Sequence, residues 1–209
     1  MAEIGVIHLV RHGQTVLNRD IRFRGQRDVP LNRTGRREAI AAGLALADAR
    51  VEAVYSSPLT RALEVGTAIA AASGLSDVDP IDDLLNLDYG RWEGLTKDEA
   101  REVDPEAWER YVTDPEHAHC PGGESLVAAG DRIVRALRML GERHAGATVA
   151  AVSHGVMLRL AVLRIAGPVT ENWQFRIPTG GSISFEIEDG VIRLATQVLD
   201  EASPHAGVS

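Results

Sequence analysis

The stretch Ile4-Gly5-Val6-Ile7-His8-Leu9-Val10, running into Arg11-His12-Gly13, decides how this chain is read. A short apolar run rich in β-branched residues, cut off by a polar turn, is the pattern of a buried strand ending in a loop. The same pattern returns at Thr148–Val152, which runs into Ser153-His154-Gly155, and at Val51–Tyr55, which runs into Ser56-Ser57-Pro58. Helical patterns fill the gaps. Thr34 is placed to cap a helix passing through Arg36 to about Ala49, and Pro58 sits ahead of a second over Leu59–Ala72. Further helices read over Ser125–His144 and Met157–Ala166. Strands alternating with helices predict an α/β fold: a three-layer α/β/α domain whose central, mostly parallel sheet is flanked by helices. In such sheets ligands bind beyond the carboxyl ends of the strands. Two of the three clearest strands run into a His-Gly pair there.

The remaining stretches are less regular. Arg19–Arg33 reads as a polar loop, and Pro80–Trp92 as mixed and half extended. Lys97–Tyr111 is a charged helical stretch that Pro105 interrupts, and Asp114–Gly123 is a Pro- and Gly-rich loop. Near the end, Phe175–Ile177, Ser182–Ile187 and Val191–Val198 read as strands, with Asp189-Gly190 as a hairpin turn. Glu201–Ser209 reads as a frayed tail.

Composition narrows the function classes. The 209 residues include 22 Lys plus Arg against 30 Asp plus Glu, for a formal net charge of −8. That balance argues against nucleic acid or an anionic membrane as a partner, while leaving room for a local basic pocket. Cys120 is the sole cysteine, so no intrachain disulfide forms. The N-terminus lacks the basic flank and apolar stretch of a signal peptide, and no apolar run approaches the ~20 residues that span a bilayer. A cytoplasmic protein is expected, with a homodimer left open.

Arg11-His12 and His154 at two strand ends, with Arg61 early in the helix after a third, form a constellation suited to a phosphoryl group. Guanidinium forks match phosphate oxygens, and an imidazole can serve as the attacking nucleophile. The ordered motifs extend this. Leu9-Val-Arg-His-Gly-Gln-Thr15 is followed by Asn18, then Gly25-x-x-Asp-x-Pro-Leu31 and Thr34-Gly35. Next come Tyr55-Ser-Ser-Pro-Leu-x-Arg-Ala62, Tyr89-Gly-x-Trp-Glu-Gly94 and Pro121-Gly-Gly-Glu-Ser125, with Ser153-His154-Gly155 closing the series. In this set and order the chain resembles the histidine phosphatase, or phosphoglycerate-mutase-like, superfamily from about Ile4 to Ala166.

The resemblance implies a single catalytic domain over residues 1–200, acting on a small phosphorylated substrate without metal or other cofactor. His12 would be the nucleophile that becomes a phosphohistidine. Arg11, Arg61 and His154 would clamp the phosphoryl oxygens, and Asn18 and the backbone at Gly155 would add hydrogen bonds. Arg24 and Gly25 would line the entrance, and Tyr89 and Lys97 would contact substrate.

One position departs from the family pattern. Members carry Glu or Asp three residues before the aromatic of the Tyr-Gly segment, as the acid that protonates the leaving oxygen. Here Asn86 stands in that catalytic position, and an amide cannot supply the proton. Four explanations compete: a neighbouring carboxylate (Asp88, Glu93 or Glu124) acts instead; the leaving group needs no acid; turnover is weak or silent; or Asn86 is an introduced acid-to-amide change.

Structural readings stand beside these. Glu124 precedes Ser125 where a carboxylate favours a helix start, and Tyr89 and Trp92 suit core or pocket wall. His117-x-His119-Cys120 has metal-ligand types but no fourth partner. The arginines at 19, 22, 24, 27, 33, 36 and 37 read either as a solvated face or as a funnel for an anionic substrate. Phosphate hydrolysis leads. A mutase-type phosphotransferase comes second, since the 26 residues between Gly94 and Pro121 have Arg101 and Arg110 as their only arginines and leave little room for a basic lid. Third is a phosphate-binding regulatory module with weakened turnover.

Overall fold

The computed structural model describes residues 4–168 and 173–195. The four apolar runs nearest the motifs become strands: β1 (Gly5–Arg11), β2 (Val51–Ser56), β4 (Thr148–Ser153) and β5 (Ser182–Glu188). Two short strands, β3 (Asp79–Pro80) and β6 (Val191–Leu194), extend the sheet at its edges. Among the described residues the sheet has six strands in the order β3-β2-β4-β1-β5-β6. β1 pairs in parallel with β4, and β4 with β2, whereas β5 runs antiparallel to β1 and β6 to β5.

Period-two alternation sends the strand side chains to two faces. Val10, Val54, Ala150 and Val152 meet α2 (Arg33–Leu46) and α3 (Thr60–Ala72) on one face. Ile7, Leu9, Tyr55, Val149 and Ala151 meet α6 (Leu126–Arg143) and α7 (Gly155–Ala166) on the other. The register of β2 slips between Val51 and Ala53, so Val51 and Val54, an odd spacing apart, still share a face. The three-layer expectation is met, with one antiparallel strand inserted beside β1.

Local differences from the sequence reading have identifiable causes. α2 starts earlier than a Thr34 cap allows, because the Asn32 side chain accepts the Gly35 N–H at 2.9 Å, and it stops at Leu46. The polar stretch after Gly13 opens with one helical turn, α1 (Val16–Arg19), capped by Thr15 and Asn18 in a reciprocal box. Pro80–Trp92 is built on two 3₁₀ turns, Asp82–Leu84 and Gly90–Trp92, and is extended only at its start. Pro105 divides its stretch as expected: α4 (Lys97–Val103) ends, and Pro105 opens α5 (Pro105–Thr113), where its missing N–H costs no helical bond. Phe175–Ile177 is not a strand, since the carbonyls of Phe175 and Ile177 accept from Arg159 and Arg11. Thr196–Val198, expected to end the last strand, and the tail from Glu201 lie outside the described residues.

Candidate active site

β1, β4 and β2 end side by side. The His12 N–H donates to the Ser153 carbonyl at 3.0 Å, and the Ser57 N–H to the Val152 carbonyl at 2.8 Å. His12, His154 and Ser57 thus share one rim. His12 is 1% exposed, and its Nδ1 lies 2.6 Å from the Gly13 carbonyl oxygen. A carbonyl only accepts, so Nδ1 carries the proton and Nε2 is left with the lone pair. Burial, then the charges of Arg61, Arg24 and Arg11, holds His12 well below the usual imidazole range. Its ring centroid is 5.1 Å from that of His154. The Nε2 of His154 sits 2.9 Å from Ser57 Oγ. Burial and then Arg61 push His154 well down as well.

The cations are fixed by backbone carbonyls. Arg61, in the first turn of α3 and fully buried, donates through Nη1 to Arg27 at 2.6 Å and through Nη2 to Gly25 at 2.8 Å. Arg11 donates through Nη1 to the Ile177 carbonyl. Burial, then Arg24 and Arg159, lowers Arg11 to about 9, and burial, then Arg24, lowers Arg61 to about 10. Such crowding of like charge is what a phosphoryl dianion would relieve. The Nε atoms of Arg11, Arg24, Arg61 and Arg159 and Nδ1 of His154 are buried without a hydrogen-bond partner among the described residues. Buried donors left unmatched are costly unless a ligand accepts from them. α7 opens at Gly155 beside His154 with no side-chain cap, a helix terminus that also favours an anion.

Beyond this rim lies a cavity of about 260 Å³. Arg11, Asn18, Arg24, Tyr89, Lys97 and Arg159 line it, and no carboxylate does among the described residues. The structure therefore brings together His12, His154, Arg11 and Arg61 at the rim, and Asn18, Arg24, Tyr89 and Lys97 in the cavity. Gly25, at φ +52°, turns its carbonyl inward to hold both Arg61 and Asn86. The Asn18 side-chain oxygen is already engaged, accepting from the N–H and hydroxyl of Thr15. The arginine-dense stretch divides: Arg22 and Arg24 line the cavity, while Arg19, Arg27 and Arg36 pair with Asp20, Glu93 and Glu64.

Asn86 is 3% exposed, donating through Nδ2 to Gly25 at 3.0 Å, with its Oδ1 buried and unmatched. The three candidate carboxylates, Asp88, Glu93 and Glu124, have other partners. Glu124 grips Arg132 at 2.9 and 3.1 Å, rather than serving the start of α6, which Ser125 caps. Asp88 accepts the Gly90 N–H at 2.8 Å, and Glu93 the Gln26 N–H at 2.7 Å. His117 bonds to Asp114 and His119 to the Cys120 carbonyl, and no group of three or more His, Cys, Asp or Glu is placed to hold a metal among the described residues.

Sequence reading missed Arg159 and Ser57. Arg159 lies four residues after Gly155 on α7, hence on the same helix face as the terminus beside His154. That spacing was the available signal. Ser57 stood within the Tyr55–Ala62 motif, but nothing in that motif gave it a role.

The chain is similar to known proteins. The chain is 42% identical over 164 residues to a bifunctional protein of Mycobacterium tuberculosis, covering 76% of this chain and 43% of that one. It thus spans less than half the length of the first curated relatives it matches. It is 36% identical over 166 residues to a protein of Arabidopsis thaliana named metal-independent phosphoserine phosphatase, covering 78% of this chain and 70% of that one. The structure of YhfR from Bacillus stearothermophilus superposes with a TM-score of 0.84 at 28% identity, covering 92% and 96% of the two chains. The model of the histidine phosphatase superfamily (branch 1) matches residues 7–199, and the chain belongs to that family.

Proposed function

We propose that the chain is a cofactor-independent phosphatase that hydrolyses a small phosphorylated metabolite through a phosphohistidine on His12. The observation that carries this is the Nδ1 contact with the Gly13 carbonyl, which leaves His12 Nε2 a neutral nucleophile in a ring of cations. Nε2 attacks phosphorus, Arg11 and Arg61 hold the equatorial oxygens, and His154 Nδ1 donates to a third. Phosphoryl transfer asks for little more than such positioning and charge stabilisation. Water then cleaves the P–N bond. The family's name and the plant relative's support the same reaction class.

The cavity beside the rim takes the rest of the substrate. Its cations suit a carboxylate or a second phosphate on a small body, with Tyr89 as a wall. We retain the cytoplasmic setting and a single catalytic domain over residues 1–200. No helix among the described residues is long and apolar enough to cross a membrane.

The test is phosphate release from p-nitrophenyl phosphate and a metabolite panel, with His12→Ala beside the parent chain. Release that His12→Ala abolishes, with an acid-labile phosphoryl group trapped on the parent alone, is the expected result. Equal release by His12→Ala would sink the reading.

A further inference from the structure

Catalysis of phosphoryl transfer has two ends, and this site is furnished at only one of them. The attacking side has its neutral imidazole, and the transferred group has its donors. The departing side has Asn86. Its Nδ2 is committed to the Gly25 carbonyl that also holds Arg61, so the side chain stands against the phosphoryl clamp and turns an acceptor oxygen, not a proton, to its surroundings. The neighbouring carboxylates are each held by other groups, Asp28 by the Thr60 N–H and hydroxyl. Glu124 is locked to Arg132, Asp88 to the Gly90 N–H, and Glu93 to the Gln26 N–H and Arg27. Glu38, which lies near enough to Arg11 to act on its charge, accepts from the Gln14 N–H at 2.6 Å and the Thr179 hydroxyl at 2.7 Å. The cavity that receives the leaving group is lined with cations and phenols and no carboxylate among the described residues.

We propose, on the phosphatase reading above, that this site discharges phosphoryl groups from leaving groups that depart as stable anions. These are acyl phosphates, phosphoanhydrides and aryl phosphates, while alkyl phosphomonoesters are poor substrates. The balance closes without a catalytic acid. His12 Nε2 forms a bond to phosphorus, and the P–O bond breaks with its electron pair on the leaving oxygen. That oxygen departs as carboxylate, phosphate or phenolate, and Arg24, Lys97 and Arg159 face the charge it carries. The phosphoimidazolium keeps its Nδ1 proton on Gly13. Water then bonds to phosphorus as the P–N bond breaks and its pair returns to Nε2. One water proton stays on the new P–OH and the other moves to a phosphoryl oxygen, giving dihydrogen phosphate and neutral His12. An alkoxide, by contrast, leaves poorly without a proton, and no carboxylic acid lines the cavity among the described residues to give it one.

A positioned acid is worth ~10²–10⁴ in rate, and only for leaving groups that need it. The experiment measures kcat/KM of the full chain on substituted phenyl phosphates from dinitrophenyl to phenyl, on acetyl phosphate and on phosphoserine. It is repeated with Asn86→Asp, whose folding is checked by circular dichroism. In the parent, kcat/KM should fall steeply with rising leaving-group pKa, and phosphoserine should lie ~10²–10⁴-fold below acetyl phosphate. In Asn86→Asp the dependence should flatten and phosphoserine should gain most. A shallow dependence in the parent, with phosphoserine turned over as readily as acetyl phosphate, overturns the proposal while leaving the phosphatase reading intact. Loss of that phosphoserine turnover in Glu93→Gln would then assign the proton to Glu93. No release from any substrate overturns the phosphatase reading and this inference together. The parent's own series decides the matter even if Asn86→Asp fails to fold.

Discussion

His12 owes its readiness to its neighbours rather than to its own chemistry. An imidazole in water is half protonated near pH 6.5; this one is kept neutral by burial and by Arg61, Arg24 and Arg11. Its lone pair is therefore available across the neutral and mildly acid range. The kcat/KM profile should show no acid limb at the ordinary imidazole value when p-nitrophenyl phosphate is the substrate and the ionisation of the phosphate itself is corrected for. An inflection there that His12 alone explains would contradict the burial argument. Arg159 offers a second test. Its guanidinium lies over the Trp173 ring, 5.7 Å from the ring centre, and lines the cavity. Arg159→Met keeps an apolar side chain of similar reach there and removes the charge. KM for a substrate bearing a second anionic group should rise ~10–100-fold, with little change for p-nitrophenyl phosphate, as expected for a charge-assisted contact worth ~1.5–3 kcal/mol. His12, His154, Arg11 and Arg61 were legible in the sequence because each falls at a strand end or in a first helical turn. Arg159 was not, because a mid-helix arginine resembles any solvated helix residue until the face it shares with Gly155 is drawn.

Elements carry information that single residues do not. α2 presses its first turn against the segment after His12: a Cβ on Gly35 would stand 2.1 Å from the Gln14 carbonyl oxygen. Gly35→Ala must push α2 and the Gly13–Gln14 turn apart. We expect a loss of ~1–3 kcal/mol in urea unfolding, as for other overpacked sites, with a larger fractional loss of activity because the displaced turn includes the Gly13 carbonyl. Unchanged stability and activity would show that the helix adapts freely. The helices were largely readable because caps and prolines mark them: Ser125, Thr96 with Glu99, and Pro105 all stand where α6, α4 and α5 begin. The errors arose where two signals competed. Asn32 and Thr34 are both cap formers, and the tertiary approach of Gly35 to Gln14 selects Asn32. Phe175–Ile177 has strand composition, yet its carbonyls are drawn off by two arginines distant in sequence. No local pattern records that.

At the scale of the molecule, a functional site buried this deeply makes stability depend on pH. His12 and His154 are both held well below 6.5 chiefly by burial, so the native state keeps them neutral. The unfolded chain protonates them near their ordinary value. Below about pH 6.5 the unfolded state thus binds protons that the native state does not, and stability falls as pH drops, by up to ~1.4 kcal/mol per pH unit for each histidine. Above that value the contribution is complete and flat. Urea midpoints from pH 8 down to 5 should show this slope, and His12→Gln should reduce it; an identical slope in the variant would assign the effect elsewhere. The layered sheet was legible from its alternation of strand and helix, but the antiparallel β5 beside β1 was not, because pairing between sequence-distant strands leaves no local trace.

That pairing also bears on how the chain acquires its site. Among the described residues β1 pairs only with β4 and β5, where Val6 faces Thr148 and Glu186. On a ribosome β1 emerges well before either of them, since α1 to α6 lie between it and β4. Loop closure over that span is slow, and an apolar strand waiting for its neighbours is open to wrong ones. Synthesis conditions or chaperones that shield the N-terminal segment should therefore raise the yield of active protein more than they raise total protein. The histidines at 12 and 154 come together only when that long wait ends.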